Sequence, residues 1–181
     1  MTEQFSRTEM LLGADGMARL KAARVAVFGL GGVGSFVAEG LARAGIGFFR
    51  LVDGDAIDVT NINRQIHALT GTVGKNKAEA MKARIFDINP EAEVEAIPTF
   101  YRPEAAERFL CGGFHYVVDA VDMVTAKLSL AVECQSPALT CFFISCNYTE
   151  RQAERCCNSV SLPVFFVEDV RTIESLLQSK K

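Results

Sequence analysis

Short apolar runs alternate with longer amphipathic stretches along this chain. Residues 5–22 follow a polar, charged start and read as one or two short helices, with Met10, Leu11, Leu12, Met17 and Leu20 as their apolar face. Residues 24–28 (RVAVF) are a short apolar run cut off by glycine and predict a strand. A helical pattern then covers residues 33–44, and Phe48, Phe49, Leu51 and Val52 predict a second strand over 48–52. Residues 75–88 carry Ala78, Met81, Ile85 and Ile88 on one side of a helix, which Asn89-Pro90 stops. A third strand is expected over 93–98, and Pro103 can start another short helix. Tyr116, Val117 and Val118 form a short buried strand ending at Asp119, and a helix follows to about Cys134. Residues 138–146 read as a further buried strand, 162–170 as a final strand and 173–181 as a terminal helix. Strands alternating with helices predict an α/β protein, a Rossmann-like, doubly wound, mostly parallel sheet with helices on both faces.

The first strand runs straight into Gly29-Leu30-Gly31-Gly32-Val33-Gly34, and the second ends in Asp53. Strand, glycine turn, helix and strand make the βαβ unit that binds adenine nucleotides. Gly29 permits the tight turn, Gly31 lets a phosphate approach the backbone, and Gly34 lets the helix lie close to the strand. The helix N-terminus offers free amides and a positive dipole end to phosphates. An acid after the second strand suits the ribose of a dinucleotide or of ATP, and Asp53 fits either.

Residues 53–80 decide between the two. This polar stretch shows no amphipathic period until about Lys75, and a long polar loop in a compact α/β domain is usually functional. Asp53 and Asp55 flank Gly54, then come Asn61, Arg64 and Gln65, and Lys77 opens the next helix. Arg and Lys near a glycine turn can clamp a triphosphate. Asp122, from another strand end, can hold the accompanying Mg²⁺, although an Asp there also suits a helix N-cap. A nicotinamide enzyme needs no such clamp, so the set favours ATP with Mg²⁺.

Composition narrows the class. The 181 residues are 49% hydrophobic and 23% charged, as in a soluble globular domain with a real core. A net charge of −3 gives no support for non-specific nucleic-acid binding. No apolar run reaches the length of a membrane span, and the polar N-terminus is no signal peptide, so a cytoplasmic protein is expected. Cys111, Cys134, Cys141, Cys146, Cys156 and Cys157 include no C-x-x-C pair, which signals neither a zinc ribbon nor a thioredoxin-type site.

The motifs GLGGVGS, DGD, TNINRQ, GKNK and DAVD, in that order, resemble the ubiquitin-activating-enzyme-like superfamily of adenylating enzymes. TNINRQIHAL at 60–69, AEGLARAGIG at 38–47, HYVVDAVD at 115–122 and FSRTEMLLG near the start are similar to its tRNA threonylcarbamoyladenosine dehydratase branch. The resemblance covers about residues 5–135. It implies that Gly29, Gly31, Gly32 and Gly34 cradle ATP and that Asp53, with Asp55 beside it, holds the ribose. It implies that Asn61, Arg64, Gln65 and Lys77 surround the phosphates and that Asp122 ligates Mg²⁺. Arg7 would reach into the partner's site of a homodimer. The implied reaction begins with adenylation of a carboxylate, that of threonylcarbamoyl-adenosine in tRNA, and ends in a cyclising dehydration.

The same superfamily also activates the C-terminus of ubiquitin-like sulfur carriers, with a carrier or a cysteine desulfurase as partner. TNINRQIHAL and the lack of paired C-x-x-C ligands speak against that alternative. A non-catalytic nucleotide-binding module and an NAD-dependent oxidoreductase are the other classes in play. Residues 1–146 are expected to form the ATP-binding adenylation domain. The resemblance implies a glycine-rich turn with a Lys and an Asp-Pro after the strand near 138–146, which residues 147–159 lack, and residues 147–181 read as a divergent or truncated C-terminal segment of that domain.

Overall fold

The computed structural model describes residues 3–134 and 140–143. Five strands, β1 (Arg24–Phe28), β2 (Phe48–Val52), β3 (Glu93–Ile97), β4 (Tyr116–Asp119) and β5 (Thr140–Phe143), form one sheet in the order β3-β2-β1-β4-β5. Every pairing in it is parallel, more uniform than the mostly parallel sheet expected. The helices are α1 (Ser6–Ala22), α2 (Gly32–Ala44), α3 (Lys77–Ile88), α4 (Ala106–Leu110) and α5 (Val124–Glu133). The order reverses between β1 and β4, so the carboxyl ends of these two strands border the crevice where doubly wound sheets bind ligands.

Period-two alternation sends the strand side chains to two separate cores. Val25, Val27, Phe49, Leu51, Val94 and Val118 pack with residues of α1, α2 and α3 on one face. Ala26, Phe28, Phe48, Val52, Val117 and Cys141 pack with α4 and α5 on the other. Both faces are covered, which is why these strands read as continuous apolar runs. Arg50 breaks the run in β2 and is nevertheless buried. Its guanidinium pairs with Glu95 at 2.7 Å, donates to the Phe109 carbonyl at 3.0 Å and lies 4.7 Å from the Phe114 ring centre.

The one or two short helices expected over 5–22 form a run, Ser6–Ala22, kinked at Gly13, where φ is +71°. Glu39 of α2 is buried and joins Arg43 at 2.6 Å and Arg84 of α3, clamping the two helices together. Burial alone would raise the Glu39 carboxyl, but the two guanidinium groups hold it below the usual range. Among the described cysteines, Cys111 is exposed while Cys134 and Cys141 are buried. The strand expected over 138–146 is seen as Thr140–Phe143. The elements expected over 162–170 and 173–181 lie outside the described residues, as do Cys146, Cys156 and Cys157.

Candidate nucleotide-binding site

The turn after β1 is built on close backbone contact. Gly29 has φ +83°, and a Cβ there would stand 2.5 Å from the Ala120 carbonyl oxygen. A Cβ at Gly34 would stand 1.9 Å from the Gly29 carbonyl oxygen, so α2 can approach the turn only through a glycine. Gly31 is the N-cap of α2 and has nothing within 4 Å of its would-be Cβ, so the space over it is open. The first intrahelical bond runs from Ser35 N to Gly31 O at 3.2 Å, and the amides ahead of it form a positive N-terminal edge.

Asp53, at the end of β2, fastens this turn from the side. Its Oδ2 accepts the Leu30 amide at 2.7 Å and its Oδ1 accepts the Asp55 amide at 2.8 Å. Burial pushes the Asp53 carboxyl up, against these two amides and the nearby Lys77 charge, which pull it down.

Asn76 fastens the far side of the loop. Its Oδ1 caps α3 by accepting the Ala78 amide at 2.8 Å, while its Nδ2 donates to the carbonyls of Asp53 at 3.2 Å and Asp55 at 3.0 Å. The helix start is thereby pinned to the Asp-Gly-Asp turn. Lys77, the first residue of α3, is buried and pairs with Asp55 at 2.7 Å.

These elements border one cavity of about 280 Å³. Gly29, Gly31, Gly32, Asp53, Asp55, Lys77 and Asp122 line it among the expected residues. Phe100, Tyr101 and Lys127 line it as well. No motif spacing marks these three, since Phe100 and Tyr101 follow β3 and Lys127 reads as an ordinary helical lysine. Asp122 is exposed and faces the cavity from the β4–α5 turn. Met123, not Asp122, occupies the N-cap position of α5, and it makes no side-chain capping bond. The capping role considered for Asp122 is therefore not the one it takes.

The remaining expected residues lie off the cavity wall. Arg64 has its stem beside Gly32, but its guanidinium donates to the Thr60 carbonyl at 2.9 Å and to Asn63 at 3.0 Å. Asn61 is turned into its own loop, where its Oδ1 accepts the Asp58 amide at 3.1 Å. Gln65 is buried, and its Oε1 has no hydrogen-bond partner among the described residues. Arg7 is exposed on the first turn of α1. Gly34 serves the packing of α2 on the turn.

His67 in the same loop is buried, and neither ring nitrogen finds a hydrogen-bond partner among the described residues. Burial, with Lys77 and Arg84 nearby, lowers its pKa to about 4, so it is neutral at pH 7.

A single Asp with phosphate oxygens suits Mg²⁺, which keeps several waters and takes only one or two protein carboxylates. Among the described residues there is no cluster of three or more His, Cys, Asp or Glu side chains that would hold a metal unaided. The donor set fits an ion that arrives with a nucleotide.

A glycine turn at the switch point, an acid on the next strand end and the buried Lys77 on the wall define a nucleotide-binding α/β protein. The chain belongs to the ThiF family, whose model matches residues 5–154. It is 54% identical over 134 residues to the tRNA threonylcarbamoyladenosine dehydratase of Bacillus subtilis strain 168, which covers 74% of this chain and 53% of that protein. It is 34% identical over 133 residues to the molybdopterin-synthase adenylyltransferase of Salmonella typhimurium strain LT2, covering 72% and 53%. The crystal structure of E. coli tRNA N6-threonylcarbamoyladenosine dehydratase in complex with ATP superposes with a TM-score of 0.76 at 41% identity, over 78% of this chain and 58% of that one. The chain thus spans about half the length of the curated relatives it matches.

Proposed function

We propose that this chain binds ATP with Mg²⁺ and adenylates a carboxylate, that of a threonylcarbamoyl-adenosine side chain in tRNA, which then cyclises with loss of water. The observation that carries this reading is the shared cavity of the glycine turn, Asp53, Lys77 and Asp122. The likeness of the chain to a tRNA N6-threonylcarbamoyladenosine dehydratase solved with ATP supports the choice of nucleotide and of substrate.

In this reading the phosphates lie over Gly31 and Gly32 on the N-terminal edge of α2. Asp53 holds the ribose on the side of β2, with Asp55 beside it. Lys77, paired with Asp55 on the cavity wall, faces the phosphates, and Asp122 would hold Mg²⁺, which would neutralise charge on the phosphate oxygens. The substrate carboxylate attacks the α-phosphorus and pyrophosphate leaves. Charge grows on the phosphoryl oxygens, where the Lys77 ammonium and the α2 amides oppose it without reorganising. Ring closure then comes from attack within the same side chain on the acyl-adenylate, releasing AMP, and requires no enzyme nucleophile.

Arg64 joins the site by releasing the Thr60 and Asn63 oxygens and swinging about its stem toward Gly32, while Asn61 and Gln65 support it from the loop. Arg7 acts from the partner of a homodimer. Met10 and Leu11, 85% and 84% exposed on the same helix, favour such a pairing. No helix among the described residues is long and apolar enough to cross a membrane. Similarity to tRNA-modifying dehydratases supports a cytoplasmic site of action.

The test is to incubate the protein with ATP, Mg²⁺ and tRNA carrying threonylcarbamoyl-adenosine, and to weigh the nucleoside. The expected product is lighter by one water. Pyrophosphate exchange driven by a sulfur-carrier protein, and not by modified tRNA, would overturn the choice of substrate.

A further inference from the structure

Asp119 closes β4 beneath the cavity and is wholly buried. Its Oδ1 accepts the Val121 amide at 3.1 Å and the Lys127 ammonium at 3.2 Å. Its Oδ2 has no hydrogen-bond partner among the described residues. Burial raises this carboxyl, and Lys127 and the Val121 amide oppose the rise. Lys127 lies in the first turn of α5, where its amide bonds to the Met123 carbonyl at 3.1 Å. Its side chain is only 15% exposed and borders the cavity.

The pair therefore spans the turn of residues 120–123. On the strand side, the Ala120 amide bonds to the Phe28 carbonyl at 2.8 Å, and that carbonyl precedes Gly29 directly. On the helix side, α5 starts without a side-chain cap, so no capping bond fixes its first turn to the strand end. The Lys127–Asp119 contact ties the two sides, and Asp122 sits between them with its carboxylate exposed toward the cavity. A carboxylate on so short a turn faces wherever the turn's two ends direct it.

We propose that Lys127, through its ion pair with Asp119, is a positioning residue that sets the direction in which Asp122 meets a divalent cation carried by a nucleoside triphosphate. The inference rests on the assignment of Asp122 to the metal side of the site. Its consequence is selective. Loss of the Lys127 charge relaxes the turn and weakens metal–nucleotide binding, while the glycine turn and Lys77 still hold the metal-free nucleotide.

The test uses the full chain, Mn²⁺ as the spectroscopic probe and a non-hydrolysable ATP analogue. Bound Mn²⁺ is read by electron paramagnetic resonance, and analogue binding is read separately in EDTA by calorimetry. Lys127→Met is expected to weaken Mn²⁺ binding in the presence of the analogue by about tenfold or more, the range for groups that orient a metal ligand. Binding in EDTA is expected to stay within about twofold, since no metal-orienting contact is involved there. Lys127→Arg restores the metal binding. Removing one partner of a buried pair can unfold a protein, so Asp119→Asn provides a second route. It keeps an acceptor for the Val121 amide, lacks the charge, and is expected to show the same selective loss. Adding Lys127→Met to Asp122→Ala should cost little beyond Asp122→Ala alone.

Equal losses with and without metal, or full additivity with Asp122→Ala, would overturn the inference while Asp122 keeps its assignment. Unchanged Mn²⁺ binding in Asp122→Ala alone would overturn that assignment and this inference with it.

Discussion

The Leu30 amide donates to Asp53 Oδ2 at 2.7 Å, so the acid that ends β2 holds the glycine turn that follows β1. The other oxygen holds the Asp55 amide at 2.8 Å. Asp53 thus shapes the cavity before any ligand arrives. Asp53→Ala strands two amides, one of them buried, and should cost about 1–3 kcal/mol per lost acceptor. Asp53→Asn keeps one acceptor oxygen and should cost less. Urea unfolding of both variants checks this order, and equal stabilities would count against the structural role.

Gly34 and Gly31 separate packing from ligand contact. Gly34→Ala places a methyl against the Gly29 carbonyl and should destabilise the fold by about 1–3 kcal/mol, as overpacking does. Gly31→Ala meets no neighbour, so its melting temperature should stay near wild type while its ATP affinity falls. Thermal melts beside nucleotide titrations decide this, and a reversed pattern would place the phosphates elsewhere.

Lys77 has little exposure and a pinned helix start beneath it. Lys77→Ala should slow pyrophosphate release by roughly 10² to 10³, in line with loss of other preorganised electrostatic donors. Asp55→Asn, which leaves the ammonium beside Asp53, should cost far less. A matching collapse of thermal stability in Lys77→Ala without nucleotide would say that the lysine is structural.

His67 gives the stability a pH dependence with a definite sign. Its folded pKa, about 4, lies below the unfolded value near 6.5. Between these values the unfolded chain binds more protons, so the His67 contribution is full above about 6.5 and declines as pH falls toward 4. Relative to wild type, His67→Gln should therefore gain stability at pH 5 compared with pH 7. Denaturant unfolding at the two pH values measures that difference, and an unchanged difference would show that the ring is not held neutral.

The strands and glycine turn were legible because their signals are local. The runs 24–28 and 48–52 are followed by Gly29 and Asp53, and the structure ends β1 and β2 just before those residues. Asp53 was legible as a strand-end acid, but not as the acceptor of the Leu30 amide. Arg50 defeats an apolar count, because its charge is balanced by Glu95 and a carbonyl 59 residues away in sequence. Asn76 reads as the second residue of a helix begun at Lys75, yet it is the cap that joins α3 to the Asp-Gly-Asp turn. Lys127 carries no motif, since its meaning comes from Asp119 on the neighbouring strand end. Residues that act by bringing separate elements together leave no periodic trace.

In the proposed function, the cavity at the carboxyl ends of β1, β2 and β4 receives the triphosphate of ATP. Calorimetric titration of Mg²⁺-ATP into the wild-type chain and into Lys77→Ala tests it most directly. A single saturable site in the wild type, strongly weakened in the variant while its fold is intact, is the expected result. No heat of binding in the wild type, or equal affinity in both proteins, would contradict it.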